Sequence, residues 1–195
     1  MNDSALKSFC TWARTELIKG VEAQMVRYGI TEPAPSPVGS ETVNGLPLSP
    51  AEVEQRDELL RIQTEVGHEA LRDRAAYTWF NRLIAIRFME VNDYLPSHIR
   101  VLSSESGKLE PDLVTTPFDA ELLFTAEEEA QIFQLKQDNK LDEVFRILFL
   151  KQCNALNEIL PALFEKTKNY TELLLSLSVI DQDGVVYHLI HDIPE

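Results

Sequence analysis

Arginine, asparagine and glutamate threaded through an aromatic helix are the residues of this sequence that most invite an active-site reading. In residues 75–96, AAYTWFNRLIAIRFMEVNDYLP, the polar side chains Asn81, Arg82, Arg87 and Glu90 interrupt a run containing Tyr77, Trp79, Phe80, Leu83, Ile84, Ile86, Phe88 and Met89. A helix apolar nearly all round is buried, so its polar members must find partners there. Arg87 can meet Glu90 at i+3, and Asn81 can bridge backbone groups of a neighbouring helix. Arg82 has no local acid, so its partner is expected from elsewhere in the fold or from a following domain. Buried ion pairs commonly serve packing geometry, which makes these four residues buried polar connectors rather than catalysts.

Two other constellations have chemical spacing. His188 and His191 stand at i and i+3 with Asp192 beside them, a set that could gather a metal on one helix face. Two imidazoles and one carboxylate near a helix end are better explained by the helix dipole and by packing. Pro111-Asp112 followed by Asp138-Asn139-Lys140 resembles the PD…(D/E)xK pattern of metal-dependent nucleases, in which acids hold magnesium and the lysine sits beside the attacking water. Here Asp138 and Lys140 fall in what reads as a turn between two helices, and a chance match among 32 acids is the simpler account. The seven glycines are scattered singly, without phosphate-loop or dinucleotide spacing, and no Gly-x-Ser-x-Gly elbow occurs. Catalytic, cofactor-binding and metal-binding residues are therefore expected to be absent from this chain. Cys10 and Cys153 fit no redox or metal spacing and read as reduced, buried thiols.

The elements that must position these residues are helical. Leu6, Phe9, Cys10, Ala13, Leu17, Val21 and Met25 recur at three- and four-residue steps and predict an amphipathic helix over 4–28. Five of the ten prolines lie between Pro33 and Pro50, so residues 30–50 read as a linker or wrapping arm. Ser49-Pro50-Ala51-Glu52 is a helix start with a capping box, and Leu59, Ile62, Val66 and Ala70 continue as a stripe with a kink expected at Gly67. Thr125 and Glu128 repeat the box. Leu141, Val144, Phe145, Leu148, Leu156 and Ile159 predict a helix of about 140–160. Shorter helical pieces are expected in NYTELLLSL and GVVYHLIHDI, and no strand alternation stands out. The fold class expected is mainly α, a multi-helix bundle with a Pro-rich N-terminal connection and irregular loops. Its parts would be an N-terminal helix (1–29), the arm (30–50) and a helical domain (51–195).

Charge is uneven. Residues 1–100 carry 11 Lys and Arg against 14 acids, whereas residues 101–195 carry 7 against 18. The acidic half would repel a nucleic-acid backbone and is a poor groove-binding surface. No apolar run reaches membrane-span length, and MNDSALKSFC has no signal-peptide core, so a cytoplasmic protein without a membrane partner is expected.

Residues 76–96, AYTWFNRLIAIRFMEVNDYLP, also resemble the N-terminal region of the BREX phage-defence adenine-specific DNA methyltransferases, the PglX family. The likeness continues in RVLSSESGKLEPDLVT (100–115), KQCNALNEILPALFEKTKNYTELLL (151–175) and VVYHLIHDIPE (185–195), in family order over roughly the last two-thirds of the chain. The first 50 residues match only in character. The resemblance implies methyl transfer from S-adenosylmethionine to adenine N6 in double-stranded DNA, with the target base flipped into a pocket. That chemistry uses an Asn-Pro-Pro-Tyr/Phe motif and a glycine-containing cofactor loop, and this sequence has neither. What carries over is an accessory helical domain that cannot methylate alone. Its implied partners are a downstream methyltransferase core, DNA through the full-length enzyme, and other BREX proteins. Arg72, Arg74 and Arg100 would be its residues for DNA or interdomain contact, because phosphate contacts need accessible charge. A stand-alone acidic interaction module is the alternative.

Overall fold

The computed structural model describes residues 3–32, 35–164 and 169–193, and it is mainly α. Seven α-helices are described: α1 (Asp3–Arg27), α2 (Pro50–Val66), α3 (His68–Val91), α4 (Asp112–Thr115), α5 (Ala126–Gln137), α6 (Leu141–Leu156) and α7 (Val185–His191). A two-residue antiparallel hairpin, β1 (Thr42–Val43) and β2 (Leu46–Pro47), and 3-10 turns at Pro117–Ala120 and Asn169–Leu174 complete the order. The described residues fall into two compact units, one built from those within 3–12, 81–164 and 177–193, the other from those within 13–80 and 169–176. Pro33, Ala34, residues 165–168 and the terminal residues 194–195, which include parts of the arm and of two resembling segments, lie outside the described residues.

Helix starts follow their local chemistry. Ser49 accepts from the Glu52 N–H while the Glu52 carboxylate accepts from the Ser49 N–H, and Thr125 with Glu128 does the same for α5. Each box satisfies two donors that a helix start would otherwise leave orphaned. In α1 the stripe of Phe9, Ala13, Leu17, Val21 and Met25 is buried as its spacing predicts, whereas Cys10 is only half-buried. Three other expectations need correction. Gly67 adopts a φ of 88°, so α2 stops there instead of kinking, the chain restarts as α3 at His68, and Val66 and Ala70 are exposed. The helix expected to about 160 ends at Leu156, leaving Ile159 exposed. In α3, Tyr77 and Phe88 are each 59% exposed, so the helix is not enclosed all round.

In the second unit the Pro-rich arm is folded against α2 by one arginine. Arg56 is fully buried, and its guanidinium donates to three backbone carbonyls: Tyr28 at 2.6 Å, Pro37 at 3.0 Å and Ser36 at 2.6 Å. Burial pushes this guanidinium below the ordinary arginine range, and Asp57 at 3.4 Å works in the opposite direction. Asp57 also accepts from the Gly39 N–H. The arm turns tightly at Gly29, whose φ is 64° and where a Cβ would stand 2.3 Å from Ser36 Oγ. The hairpin then reverses at Asn44-Gly45, both with positive φ, as a type I′ turn requires. Around this arm, Leu17, Val21, Met25, Leu59, Trp79 and Leu174 are among the unit's buried core, and α2 packs on the 169–174 turn.

In the other unit α5 and α4 both pack on α6, which buries Val144, Phe145, Leu148, Phe149, Cys153 and Leu156. Asp142 at the start of α6 accepts from the Val179 N–H at 2.8 Å and so ties down the segment leading to α7.

Replacing Arg56 by Met removes three donors at once and strands three carbonyls. The expected cost is about 3 kcal/mol, read from urea unfolding, together with faster proteolysis within residues 35–39. Arg56→Lys should recover less than half of the loss, because one ammonium cannot match three divergent carbonyls.

Candidate functional site

The strongest polar cluster of the first unit is centred on Glu90, whose side chain is fully buried. Its Oε1 accepts from Arg87 Nη1 at 2.8 Å and from Ser103 Oγ at 2.8 Å. Its Oε2 accepts from the backbone N–H groups of Val101 and Leu102, each at 2.9 Å. The i, i+3 pairing of Arg87 and Glu90 follows from helix geometry. The contribution of residues 101–103 does not, because it brings in a loop segment that starts ten residues beyond the helix end at Val91. Val101 and Leu102 are themselves fully buried, so the loop is pinned by apolar burial and by the carboxylate together.

A second carboxylate organises the next stretch. Asp112 at the head of α4 accepts from Ser104 Oγ at 2.7 Å and from the Glu105 N–H at 2.9 Å. Its own N–H donates to the Ser103 carbonyl, and the Leu113 N–H donates to that of Arg100. Residues 100–115 therefore wrap two carboxylates, Glu90 with four acceptor bonds and Asp112 with one on each oxygen. Both groups hold backbone, Glu90 through two N–H groups and Asp112 through one.

The remaining sequence-identified residues are dispersed. Arg82 is 2% exposed, while Asn81 is half-buried rather than enclosed. Arg72 is engaged by Asp73 at 2.9 Å and by Glu22 at 3.7 Å; the Asp73 hydrogen bond holds its pKa above the ordinary value. Glu22 also meets His68 Nε2 at 3.0 Å. Arg74 is exposed. Arg100 is half-buried and donates to Ser103 Oγ at 3.4 Å. Arg72 and Arg74 belong to one compact unit and Arg100 to the other.

Neither metal constellation is assembled. Asp138 closes α5 and accepts from Gln134 Nε2, while Lys140 precedes α6 and pairs with Glu143 at 3.4 Å. His188 stacks edge-on against Trp12 at 4.6 Å and meets Asp192 at 2.7 Å, whereas His191 lies on Tyr187 at 4.0 Å. Among the described residues no group of three or more His, Cys, Asp or Glu side chains is placed to hold a metal ion. No described helix is long and apolar enough to cross a membrane.

No family model matches the chain. It is similar over its whole length to the adenine-specific methyltransferase PglX of Lacticaseibacillus casei (strain Zhang), with 38% identity over 217 aligned positions, which make up 18% of that protein. It is likewise similar over its whole length to the adenine-specific methyltransferase BrxX of Escherichia coli O9:H4 (strain HS), with 35% identity over 208 positions and 17% of that protein. The chain thus spans less than a fifth of the length of these curated relatives, in their N-terminal region. The likeness includes the first 50 residues, where the sequence by itself showed only a leading helix and a variable connection.

Two outcomes follow from this geometry. Glu90→Gln keeps the shape but turns an amide NH2 toward one pair of donors, so it should cost about 3 kcal/mol in urea unfolding; a loss below about 1 kcal/mol would contradict the four-bond assignment. The second concerns Glu128. Partial burial works against its charge, yet the hydrogen bonds from Lys151 (2.6 Å) and the Thr125 N–H, with the lysine's charge, hold its carboxyl below the usual range. A carboxyl depressed in the folded state contributes stability above its unfolded pKa and loses it as pH falls through the folded one. The stability gap between the wild type and Lys151→Met should therefore be full above pH 4.5 and shrink as pH falls further, in urea titrations across that range.

Proposed function

We propose that this chain is the non-catalytic N-terminal accessory domain of a site-specific DNA adenine-N6 methyltransferase of a BREX-type phage-defence system. The observation that carries the proposal is the end-to-end likeness to two adenine-specific methyltransferases, of which the chain matches under a fifth. In the longer enzyme, S-adenosylmethionine would supply the methyl group and double-stranded DNA the adenine. The residues of this chain do not fit that cofactor. Its positive-φ glycines, at positions 29, 39, 45, 67 and 107, stand in separate turns and build no cradle, and no Asn-Pro dipeptide is present to hold an adenine amino group.

The role left to this domain is to pack on the methyltransferase core, to help shape the DNA cleft, or to contact other proteins of the defence system in the cytoplasm. Its internal chemistry suits a scaffold, since Glu90, Asp112 and Arg56 spend their hydrogen bonds on backbone and on neighbouring side chains. If the domain touches phosphate, Arg74 is the best placed of its three candidate arginines. Arg72 already faces two carboxylates and Arg100 is drawn toward Ser103.

Purified chain incubated with tritiated S-adenosylmethionine and double-stranded DNA should transfer no methyl group; detectable transfer would overturn the proposal. Deleting the matched segment from the Lacticaseibacillus casei relative should abolish or strongly reduce methyl transfer although the remaining four-fifths is intact. Undiminished transfer would remove the accessory role.

A further inference from the structure

The first unit exposes aromatic surface that its own core does not use. Phe118, in the 3-10 turn at Pro117–Ala120, is 53% exposed, and Phe133 on α5 is 61% exposed. They face an open groove of about 530 Å³ that Pro117 and Ile132 also line. Phe118 is not a loose side chain, because it packs edge-to-face on Phe124 at 5.6 Å, and Lys151 sits over the Phe124 ring at 5.4 Å. Leu123, the residue before Phe124, is 90% exposed. Isolated exposed apolar residues are ordinary; two aromatic rings lining one groove are a recognition surface.

Charge specifies what can fill it. Residues 112–138, which include the turn and all of α5, hold seven acids and a single lysine. That lysine, Lys136, lines the groove but donates to the Val114 carbonyl at 2.7 Å and the Thr115 carbonyl at 3.1 Å, so its ammonium is directed at backbone. Asp119 lines the groove beside Phe118 and is exposed. Glu129, one turn before Phe133 on the same face of α5, is exposed as well. A second copy of this chain would bring the same acids against themselves, and a nucleic acid or an anionic membrane would be repelled in the same way.

We infer that this groove is the docking site for a basic amphipathic helix of a partner polypeptide. One apolar side chain of that helix enters between Phe118 and Phe133, and flanking Lys or Arg residues meet Asp119 and Glu129. Helix-in-groove recognition has this division of labour, with apolar anchors supplying affinity and rim charges supplying selection and rate. The contact is small, so it belongs to the weak, micromolar class. It stands apart from the methyltransferase reading, since it rests on the groove and its acidic frame alone.

The test uses the full chain and two fluorescein-labelled helical peptides of equal length, one composed of Leu and Lys on opposite faces, the other of Leu and Glu. Fluorescence anisotropy should show binding of the Leu/Lys peptide only. Phe133→Ser should weaken it about tenfold, and Asp119→Asn with Glu129→Gln should weaken it severalfold and flatten its salt dependence. Tyr94→Ser, at an exposed aromatic residue elsewhere in the unit, should leave binding unchanged. Both phenylalanines are more than half exposed, so the variants should keep the wild-type circular dichroism. Absence of Leu/Lys binding, equal binding of the Leu/Glu peptide, or binding indifferent to Phe133→Ser would overturn the proposal. A wild-type dimer in sedimentation that Phe133→Ser converts to monomer would instead make a second copy the occupant.

Discussion

A carboxylate with no access to water must be surrounded by donors, and that demand on Glu90 governs the first unit. An uncompensated charge in a protein interior costs several kcal/mol. A buried carboxyl such as Glu90 is satisfied only when donors reach both of its oxygens. α3 can supply one of them, Arg87, from its own surface. The others must come from a different part of the chain, and they come from three consecutive residues, Val101, Leu102 and Ser103. A loop held at three successive positions has little freedom left. Ser104 and Asp112 then continue the same logic, with the second carboxylate closing residues 104–112 onto the head of α4. An irregular segment thereby acquires a definite path without regular secondary structure.

The second unit solves a related problem with the opposite charge. A Pro-rich arm lacks donors, and its carbonyls outnumber the N–H groups that could satisfy them. Arg56 carries five donors in a planar fork and reaches three of those carbonyls from one position on α2. Burial disfavours its charge, and the carbonyl dipoles with Asp57 offset that cost. In both units a single buried ion serves as the hydrogen-bonding centre for backbone that cannot pair with itself. This explains why strongly polar residues occur inside otherwise apolar helices.

How much of this was legible beforehand depends on the range of each interaction. The capping boxes at Ser49 and Thr125, the stripe of α1 and the Arg87–Glu90 pair all lie within four residues, and the sequence states them directly. The loop partners of Glu90 and the carbonyl partners of Arg56 lie 11 to 28 residues away, and only the folded chain brings them close. The burial of Arg56 is masked in the sequence because an arginine in an amphipathic helix ordinarily faces water; its position three residues before buried Leu59 is the available signal. The hairpin also had one, the Asn-Gly pair at 44–45, hidden by the surrounding prolines. The exposure of Tyr77 and Phe88 was not legible at all, since hydrophobic composition does not say which face of a helix lacks a neighbour. The same holds for Phe118 and Phe133.

The accounting of polar groups also bears on where function can lie. A catalytic carboxylate needs an unspent lone pair facing a space that substrate can enter. Glu90 has no such space, and Asp112 gives one acceptor site on each oxygen to a serine hydroxyl and a backbone N–H. The two histidines of α7 are divided between Trp12 and Tyr187. What stays open to solvent in the first unit is of another kind: aromatic rings, an exposed leucine and a frame of acids whose single lysine is turned to backbone carbonyls. Recognition needs accessible surface with defined charge, and this surface has both. The interior chemistry anchors the elements beside that surface: α5 is held at its start by the Thr125–Glu128 box and by Lys151, and the 3-10 turn packs on α4. Elements anchored in this way have less freedom to lose on binding than a free loop, which lowers the entropic cost of filling a groove between them.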